Sequence, residues 1–162
     1  MRKKLFLLAA ALFLTLTASA QFEEEKVYVG GSLTGLDLNY NGNNGFSFGV
    51  QARGGYFLED NWLVLGQVAF EHSGHKTVPD YISVGAGLRY YIVQNGLFLG
   101  ANCNFVHAYH NYNDLMPGLE IGYAFFISKT VTIEPSVYYN QSFKNHADFS
   151  TVGLKLGVGI YI

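Results

Sequence analysis

Apolar and polar residues alternate along most of the chain beyond residue 26. Neighbouring side chains of a β-strand point to opposite faces, so a period of two predicts strands with one apolar and one polar face. The clearest run is at the C-terminus, where every second residue from Val152 to Ile162 is apolar and the other phase holds, up to Gly159, Thr151, Lys155 and three glycines. This run predicts a long strand that is apolar on one side.

The alternation recurs in eight runs that turn-forming residues separate. Short turns are predicted at 59–61, 94–96 and 128–130, with centres about 34 residues apart. Longer polar stretches fall between them, at 39–45, 73–80, 108–114 and 144–149. A phase slip at Gly35 and Leu36 predicts a β-bulge in the first run. The pattern therefore predicts an all-β chain of four hairpins, with short turns at one end and loops of six to eight residues at the other.

Six ionisable residues lie well inside the predicted strands, and all six fall on the polar face. They are Arg53, Glu71, Arg89, Glu120, Glu134 and Lys155, each from a different run. Most of the glycines share this face, which therefore cannot form a close-packed core around eight strands. We predict instead that the apolar face meets lipid and that the polar face lines a narrow lumen. Because a closed barrel satisfies every backbone donor in a bilayer, the sequence predicts an eight-stranded antiparallel up-and-down transmembrane β-barrel.

Aromatic residues make up 16% of the chain and concentrate in two bands along the predicted strands. The band near the short turns includes Phe57, Tyr91 and Tyr161, and the band toward the loops includes Phe48 and Tyr139. Amphipathic rings favour the two interfaces of a bilayer, so both bands are predicted to be girdles around the barrel.

Composition and the first residues narrow the class of protein. A net charge of −2 with scattered basic residues excludes the basic surface that nucleic-acid binding needs. One cysteine excludes a disulfide framework and a cysteine-rich zinc module. A basic start at Arg2 precedes an apolar run and the small residues Ala18 and Ala20. We therefore predict a secretory signal peptide at 1–20 and a barrel domain at 21–162.

At this point the chain resembles the small eight-stranded outer-membrane β-barrels of Gram-negative bacteria, the OmpA/OmpX type. Its last strand looks like the insertion signal of that family, whose positions are taken by Lys155, Gly157, Ile160 and Ile162. The family usually ends in an aromatic residue, whereas Ile162 is terminal here.

The resemblance implies a monomer of the cell outer membrane with periplasmic termini. OmpA-type proteins often add a peptidoglycan-binding domain after the barrel, and we expect none here because the sequence stops at the eighth predicted strand. The partners that it implies are the outer-membrane lipid bilayer, lipopolysaccharide and the barrel-assembly machinery, with no nucleic acid.

Eight strands leave an interior that side chains can fill. We expect Glu134 to meet Arg89 or Arg53 there, because an unpaired buried charge is costly. Glu120 is expected to meet Lys155. Gln67 and Tyr138 are expected to bridge these pairs, and Glu71 is the sixth charge of the predicted lumen network. A lumen filled in this way predicts a structural or surface-recognition role, and the alternative is a narrow channel for small ions or apolar solutes.

All five histidines lie at or near the predicted loop end. They are His72, His75, His107, His110 and His146. Imidazoles at one rim could bind Zn²⁺ or Cu²⁺ or titrate near neutral pH. No carboxylate motif or fixed ligand spacing accompanies them, so the alternative is that they are ordinary polar loop residues. We expect no metal and no other cofactor.

A catalytic role is the third possibility, since Glu71, His72 and Ser73 invite comparison with barrel enzymes that modify lipid A. The deacylases among them carry His-x-Ser, which places both groups on one face of a strand. His72 and Ser73 are adjacent and point to opposite faces. We therefore expect a protein that is not an enzyme.

Overall fold

The computed structural model describes residues 22–38, 47–73, 80–92, 96–108, 112–144 and 150–162. Its strands are β1 (Val27–Leu38), β2 (Ser47–Glu59), β3 (Trp62–Ser73), β4 (Tyr81–Tyr91), β5 (Leu97–Ala108), β6 (Tyr112–Tyr123), β7 (Phe125–Phe126), β8 (Val131–Asn140) and β9 (Thr151–Tyr161). Both β6 and β7 pair with β8 and keep the same register, so they form one strand interrupted at Ala124.

The sheet closes on itself. Each strand pairs antiparallel with its neighbour along the chain, and β1 also pairs with β9. The described residues therefore form eight antiparallel strands around one lumen, and the predicted up-and-down barrel is confirmed. Closure matters physically because it leaves no edge with unpaired backbone groups.

Short connections define one end of the barrel, which we call the turn end. Asp60 and Asn61 join β2 to β3, and Asn61 adopts the left-handed conformation with φ 68° that a tight turn needs. Residues 92–96 join β4 to β5, and 127–130 join β7 to β8. All three lie where the sequence predicts short turns. The opposite end is the loop end.

Toward the loop end, β3 and β6 run further than predicted, whereas the connection between β8 and β9 is longer than predicted, at 141–150. Ser73 belongs to β3, and Ala108 pairs with Tyr112 across β5 and β6. The predicted loop at 108–114 is therefore a connection of residues 109–111, because the backbone ladder continues whatever the polarity of the side chains. The predicted bulge is present, since the register of β1 against β9 shifts between Thr34 and Leu36.

Alternate side chains point into the lumen and away from it. On β9, Lys155 is 9% exposed whereas its neighbour Leu156 is 57% exposed. The same alternation places Arg53 and Glu134 inside and Val50 and Val137 outside. The outer wall is therefore apolar and the lumen polar, as the pattern predicts. The described residues contain no helix that is long and apolar enough to cross a membrane.

Candidate functional site: the barrel lumen

The polar face of the barrel converges on ion pairs in the middle of the lumen. Arg53 donates to both carboxylate oxygens of Glu120, at 3.2 and 2.9 Å. Arg89 Nη1 donates to Glu134 Oε2 at 2.9 Å. All four side chains are buried, and they come from β2, β6, β4 and β8. The ion pairs therefore cross the lumen and link strands that are not neighbours.

Glu134 is the most fully hydrogen-bonded of these charges. Its Oε1 accepts from Tyr161 at 2.7 Å and from Thr132 at 2.9 Å. Its Oε2 accepts from Tyr28 at 2.9 Å in addition to Arg89. A buried carboxylate is tolerated when a cation and several hydrogen bonds replace its hydration, and Glu134 has both.

Glu120 is shared between more cations. Arg89 Nη2 lies 3.7 Å and Lys155 Nζ 3.8 Å from Glu120 Oε1, which also accepts from Ser136 Oγ at 2.7 Å. The expected contact between Glu120 and Lys155 is thus present, but it is longer than a hydrogen bond. The tight partner of Glu120 is Arg53, which the sequence offered only as one of two possible partners of Glu134, the other being Arg89.

Gln67 does not bridge the charges as expected. Its Nε2 donates to Asn104 Oδ1 at 2.5 Å, and Asn104 Nδ2 donates to Asn102 Oδ1 at 2.8 Å. Gln67 therefore belongs to a chain of amides that runs along the wall between β3 and β5. Asn102 and Asn104 share the polar phase of β5, but alternation alone does not show that they join Gln67 in one chain.

The remaining predicted members lie toward the loop end. Tyr138 packs its ring beneath Lys155, with Nζ 4.7 Å from the ring centroid, a cation–π arrangement. Glu71 accepts a hydrogen bond from the hydroxyl of Tyr81. Neither residue links the two carboxylates of the central network.

The turn end of the lumen is filled by a packed apolar group, which we call the turn-end cluster. It consists of Phe22, Tyr28, Phe57, Leu63, Leu65, Tyr91, Phe98, Ala124 and Tyr161. The predicted lipid-facing girdle is therefore wrong for Phe57, Tyr91 and Tyr161, which point inward. Each shares the strand phase of a lumen residue, as Tyr91 does with Arg89, and this phase fixes the direction of a side chain more strictly than its position along the strand.

Phe22 enters the turn-end cluster from outside the sheet. Its ring stacks on Tyr91 with centroids 4.0 Å apart and meets the edge of Tyr161 at 5.5 Å. Its carbonyl accepts from the backbone N–H of Asn61 at 2.8 Å, and Glu24 N–H donates to Asp60 Oδ1 at 2.9 Å. The segment before β1 is thus fastened under the barrel and closes the lumen at this end.

The loop-end half of the lumen contains a polar cavity of about 30 Å³. Amide groups of Gln51, Gln67, Asn102 and Asn104 line it, together with Lys155. Since one water needs roughly 10–15 Å³ by this measure, the cavity has room for about two waters or one ion of similar size. The lumen is therefore packed at one end and partly open inside at the other.

The rim residues are only partly described. His72 Nδ1 lies 2.8 Å from Asp80 Oδ1, and His107 Nδ1 lies 2.7 Å from Asn113 Oδ1, with both imidazoles exposed. His75, His110 and His146 lie outside the described residues. Across the described ranges no group of three or more His, Cys, Asp or Glu side chains is placed to hold a metal ion.

The residues of the expected insertion signal divide between the two faces. Lys155 and Gly157 point into the lumen, whereas Ile160 and Ile162 point outward, with Ile162 72% exposed.

A polar contact that the sequence analysis missed lies near the loop end, where buried Ser142 donates to Asp114 Oδ2 at 2.5 Å. No alternation pattern could have found it, because Ser142 lies beyond the end of β8.

Known proteins share both the sequence pattern and the fold of this barrel. The sequence model of the family described as "Outer membrane protein beta-barrel domain" matches residues 6–162. No curated protein matches the chain in sequence.

Solved structures that share the fold include the N-terminal β-barrel domain of Pseudomonas aeruginosa OprF, with a TM-score of 0.64 and 12% identity over 86% of this chain and 98% of that one. Neisserial surface protein A gives a TM-score of 0.59 with 15% identity, over 83% of this chain and 96% of that one. Yersinia pestis Ail gives 0.52 with 16% identity, over 86% of this chain and all 100% of that one. At these identities the likeness concerns the fold alone, and it is the sequence match that assigns the family: the chain belongs to the outer membrane protein β-barrel domain family.

Proposed function

We propose that this protein is a structural barrel of the outer membrane whose lumen is sealed by its own side chains. The observation that carries the proposal is the pair of buried ion pairs across the lumen, Arg53 with Glu120 and Arg89 with Glu134, resting on the turn-end cluster. Any solute passing from the cavity to the turn end would have to disrupt both the ion pairs and the turn-end cluster. An eight-stranded wall offers no room to go around them.

The proposed topology has the turn end in the periplasm and the loops outside. Val27 and Ile162 exchange backbone hydrogen bonds of 2.8 and 2.9 Å, so the start of β1 and the end of the chain lie together at the turn end. The predicted signal peptide at 1–20 lies outside the described residues and agrees with export. In this proposal the barrel is a monomer that the barrel-assembly machinery inserts beside lipopolysaccharide. The exposed rim, with His72 and His107, is the surface that could meet external partners.

The proposal includes the absence of catalysis. A hydrolase needs a nucleophile and a base within hydrogen-bond reach of each other. The imidazole of His72 is instead paired with Asp80 on the outward face of β3, and Ser73 is the next residue along the strand, in the other phase of the alternation. Incubation of the refolded protein with lipid A, followed by mass spectrometry, tests this point. Release of an acyl chain that Ser73→Ala abolishes would refute it.

Ion conductance tests the seal. We expect the refolded protein to give no stable single-channel steps in planar lipid bilayers. Phe22→Ala should leave the bilayer silent as well, because the ion pairs still close the lumen. Reproducible steps from the intact protein would instead support the narrow channel, for which the loop-end cavity is the favourable observation. A sample that is heat-unfolded before reconstitution controls for contaminating porins.

A further inference from the structure

The wall between β6 and β8, which we call the β6–β8 seam, is joined less extensively than any other wall in the described part of the barrel. Register pairs link residues 118–122 of β6 with 136–140 of β8, and Phe125–Phe126 of β7 with 132–133. Toward the loop end, from Pro117 to Tyr112, the register partners of β6 all lie on β5. One side of β6 therefore runs past the end of its ladder with β8.

Two prolines explain why this ladder is short. Backbone groups of a strand point alternately to its two neighbours, and Gln141 N–H donates across the seam to Pro117 C=O at 2.8 Å. The odd-numbered residues of β8 therefore face β6. Continuing the register of 118–122 by one residue at each end places Pro117 opposite Gln141 and Pro135 opposite Tyr123. Because proline has no N–H, each of the two prolines removes one donor from this ladder.

Beyond Pro117 a side-chain contact follows the backbone ladder. The bond from Gln141 to Pro117 is the last backbone hydrogen bond toward the loop end that the described residues make across the seam. Leu115 is the next residue of β6 whose N–H faces the seam, and it donates to Oδ1 of its neighbour Asp114 at 2.8 Å. Asp114 Oδ2 accepts from Ser142 Oγ, and both residues are buried. This contact joins the two sides where the ladder has stopped.

The loop-end cavity borders the seam from inside. Met116 of β6 and Tyr138 and Asn140 of β8 are among the residues that line it. Separation of the two sides beyond Pro117 would therefore connect the cavity with the outside of the barrel wall. The ion pair of Glu120 would be spared, because Glu120 lies within the paired stretch of β6.

We propose that the barrel opens laterally at the β6–β8 seam, beyond Pro117, and so gives the loop-end cavity a route to the surrounding lipid headgroups. Local opening occurs where a structure has few backbone hydrogen bonds to break, and the other walls carry longer ladders. Ser142 stays with the β9 side, since its N–H donates to Ser150 Oγ at 3.0 Å. Its hydrogen bond to Asp114 is therefore the contact that opening breaks. This device goes beyond the structural role and leaves the turn-end seal closed.

Amide hydrogen exchange of the refolded barrel in lipid nanodiscs, followed by NMR, tests the opening on the native chain. On β6 the N–H of Leu119 faces the seam, whereas the N–H groups of Gly118 and Glu120 face β5, so one strand supplies the test amide and its controls. Fraying from the open end of the ladder reaches Leu119 first. We expect Leu119 to exchange at least about tenfold faster than Gly118 and Glu120. Equal exchange of the three amides would overturn the proposal.

Pro117→Ala supplies an N–H that can donate to Gln141 C=O and so lengthens the ladder. It should slow the exchange of Leu119 by about tenfold and leave that of Gly118 unchanged. Pro135→Ala is the matched control, because it restores a donor at the other end of the stretch and should leave Leu119 as it is. Exchange of Leu119 that is as fast in Pro117→Ala as in the native barrel would contradict the role of the proline.

The route to the lipid is tested by two cysteines that line the same cavity, introduced in a Cys103→Ala background. Met116→Cys lies at the seam and Ser83→Cys lies on β4, where the native side chain is the more exposed of the two. A water-soluble maleimide should therefore label Ser83→Cys faster. A maleimide carried on the headgroup of phosphatidylethanolamine in the nanodisc should label Met116→Cys faster. If the lipid-borne reagent instead keeps the order of the soluble one, the cavity has no lateral route.

Discussion

The two halves of the lumen fill the space inside the barrel with side chains of different chemistry. At the turn end, the aromatic and aliphatic side chains of the turn-end cluster, Phe22 and Tyr161 among them, pack together beneath the buried ion pairs. At the loop end, amides, tyrosines, one lysine and one glutamate line a cavity. Close packing depends on volume and shape, so the loss of even a few atoms from a packed core lowers its stability. In a polar cavity, water can fill the space that a shortened side chain leaves. The comparison teaches that one barrel can be rigid at one end and adaptable at the other.

The largest expected effect is at the turn end. Phe98 is fully buried, and the guanidinium of Arg89 lies 3.9 Å from its ring centroid. Phe98→Ala should lower the free energy of unfolding by about 4 kcal/mol, because it leaves a cavity and removes the ring under a buried cation. Urea titration of the refolded protein measures the loss.

Phe105→Ala is the matched control on the same strand. Phe105 is 51% exposed on the outer wall, where lipid can refill the space, so its loss should be about half as large. Equal losses for the two variants would show that the turn-end cluster is not a packed core.

Removing a charge next to the turn-end cluster should lower the stability of the barrel more than removing a charge beside the cavity. Glu134→Gln keeps the shape of the side chain but leaves Arg89 without its carboxylate, at a cost of about 3 kcal/mol. Glu71→Gln alters a partly exposed carboxylate beside the cavity and should cost about 1 kcal/mol. The same urea titration ranks the two. The reverse order would mean that the cavity half is the more tightly coupled one.

Two glycines of the barrel wall test where an added methyl group has room. A Cβ on Gly85 would lie 2.6 Å from the carbonyl oxygen of Cys103 and would collide with Asn104. Gly85→Ala should therefore cost about 1–2 kcal/mol, because the cavity lies at the centre of this half and not at its wall. Gly54 faces outward with nothing within 4 Å of a Cβ, so Gly54→Ala should gain up to about 1 kcal/mol. A tolerated Gly85→Ala would contradict this account of the wall.

The strands, their direction and the identity of the lumen charges could all be predicted, because alternation fixes which side chains share a face. The pairing could not, since the partner of Glu120 depends on tilt and register across the lumen, and both arginines carry the same charge. The inward turn of Tyr91 and Tyr161 was available from phase alone and was missed because aromatic residues were assigned by their position along the strand. Phe22 could not be found, since it precedes the first alternating run and its place depends on how the chain bends beneath the barrel.

The contacts of Glu120 also bear on how the barrel folds. Its contacts reach Arg53, Arg89 and Lys155, which β2, β4 and β9 contribute from separate parts of the ring. A half-built sheet would hold Glu120 or its cations with no counter-ion in an apolar medium, which is strongly disfavoured. The contacts of Glu120 with its three cations can all form only once the barrel has closed, so pairing of the last strand contributes much of the stability of the folded protein. Insertion should therefore proceed as one concerted step without stable, partly formed barrels.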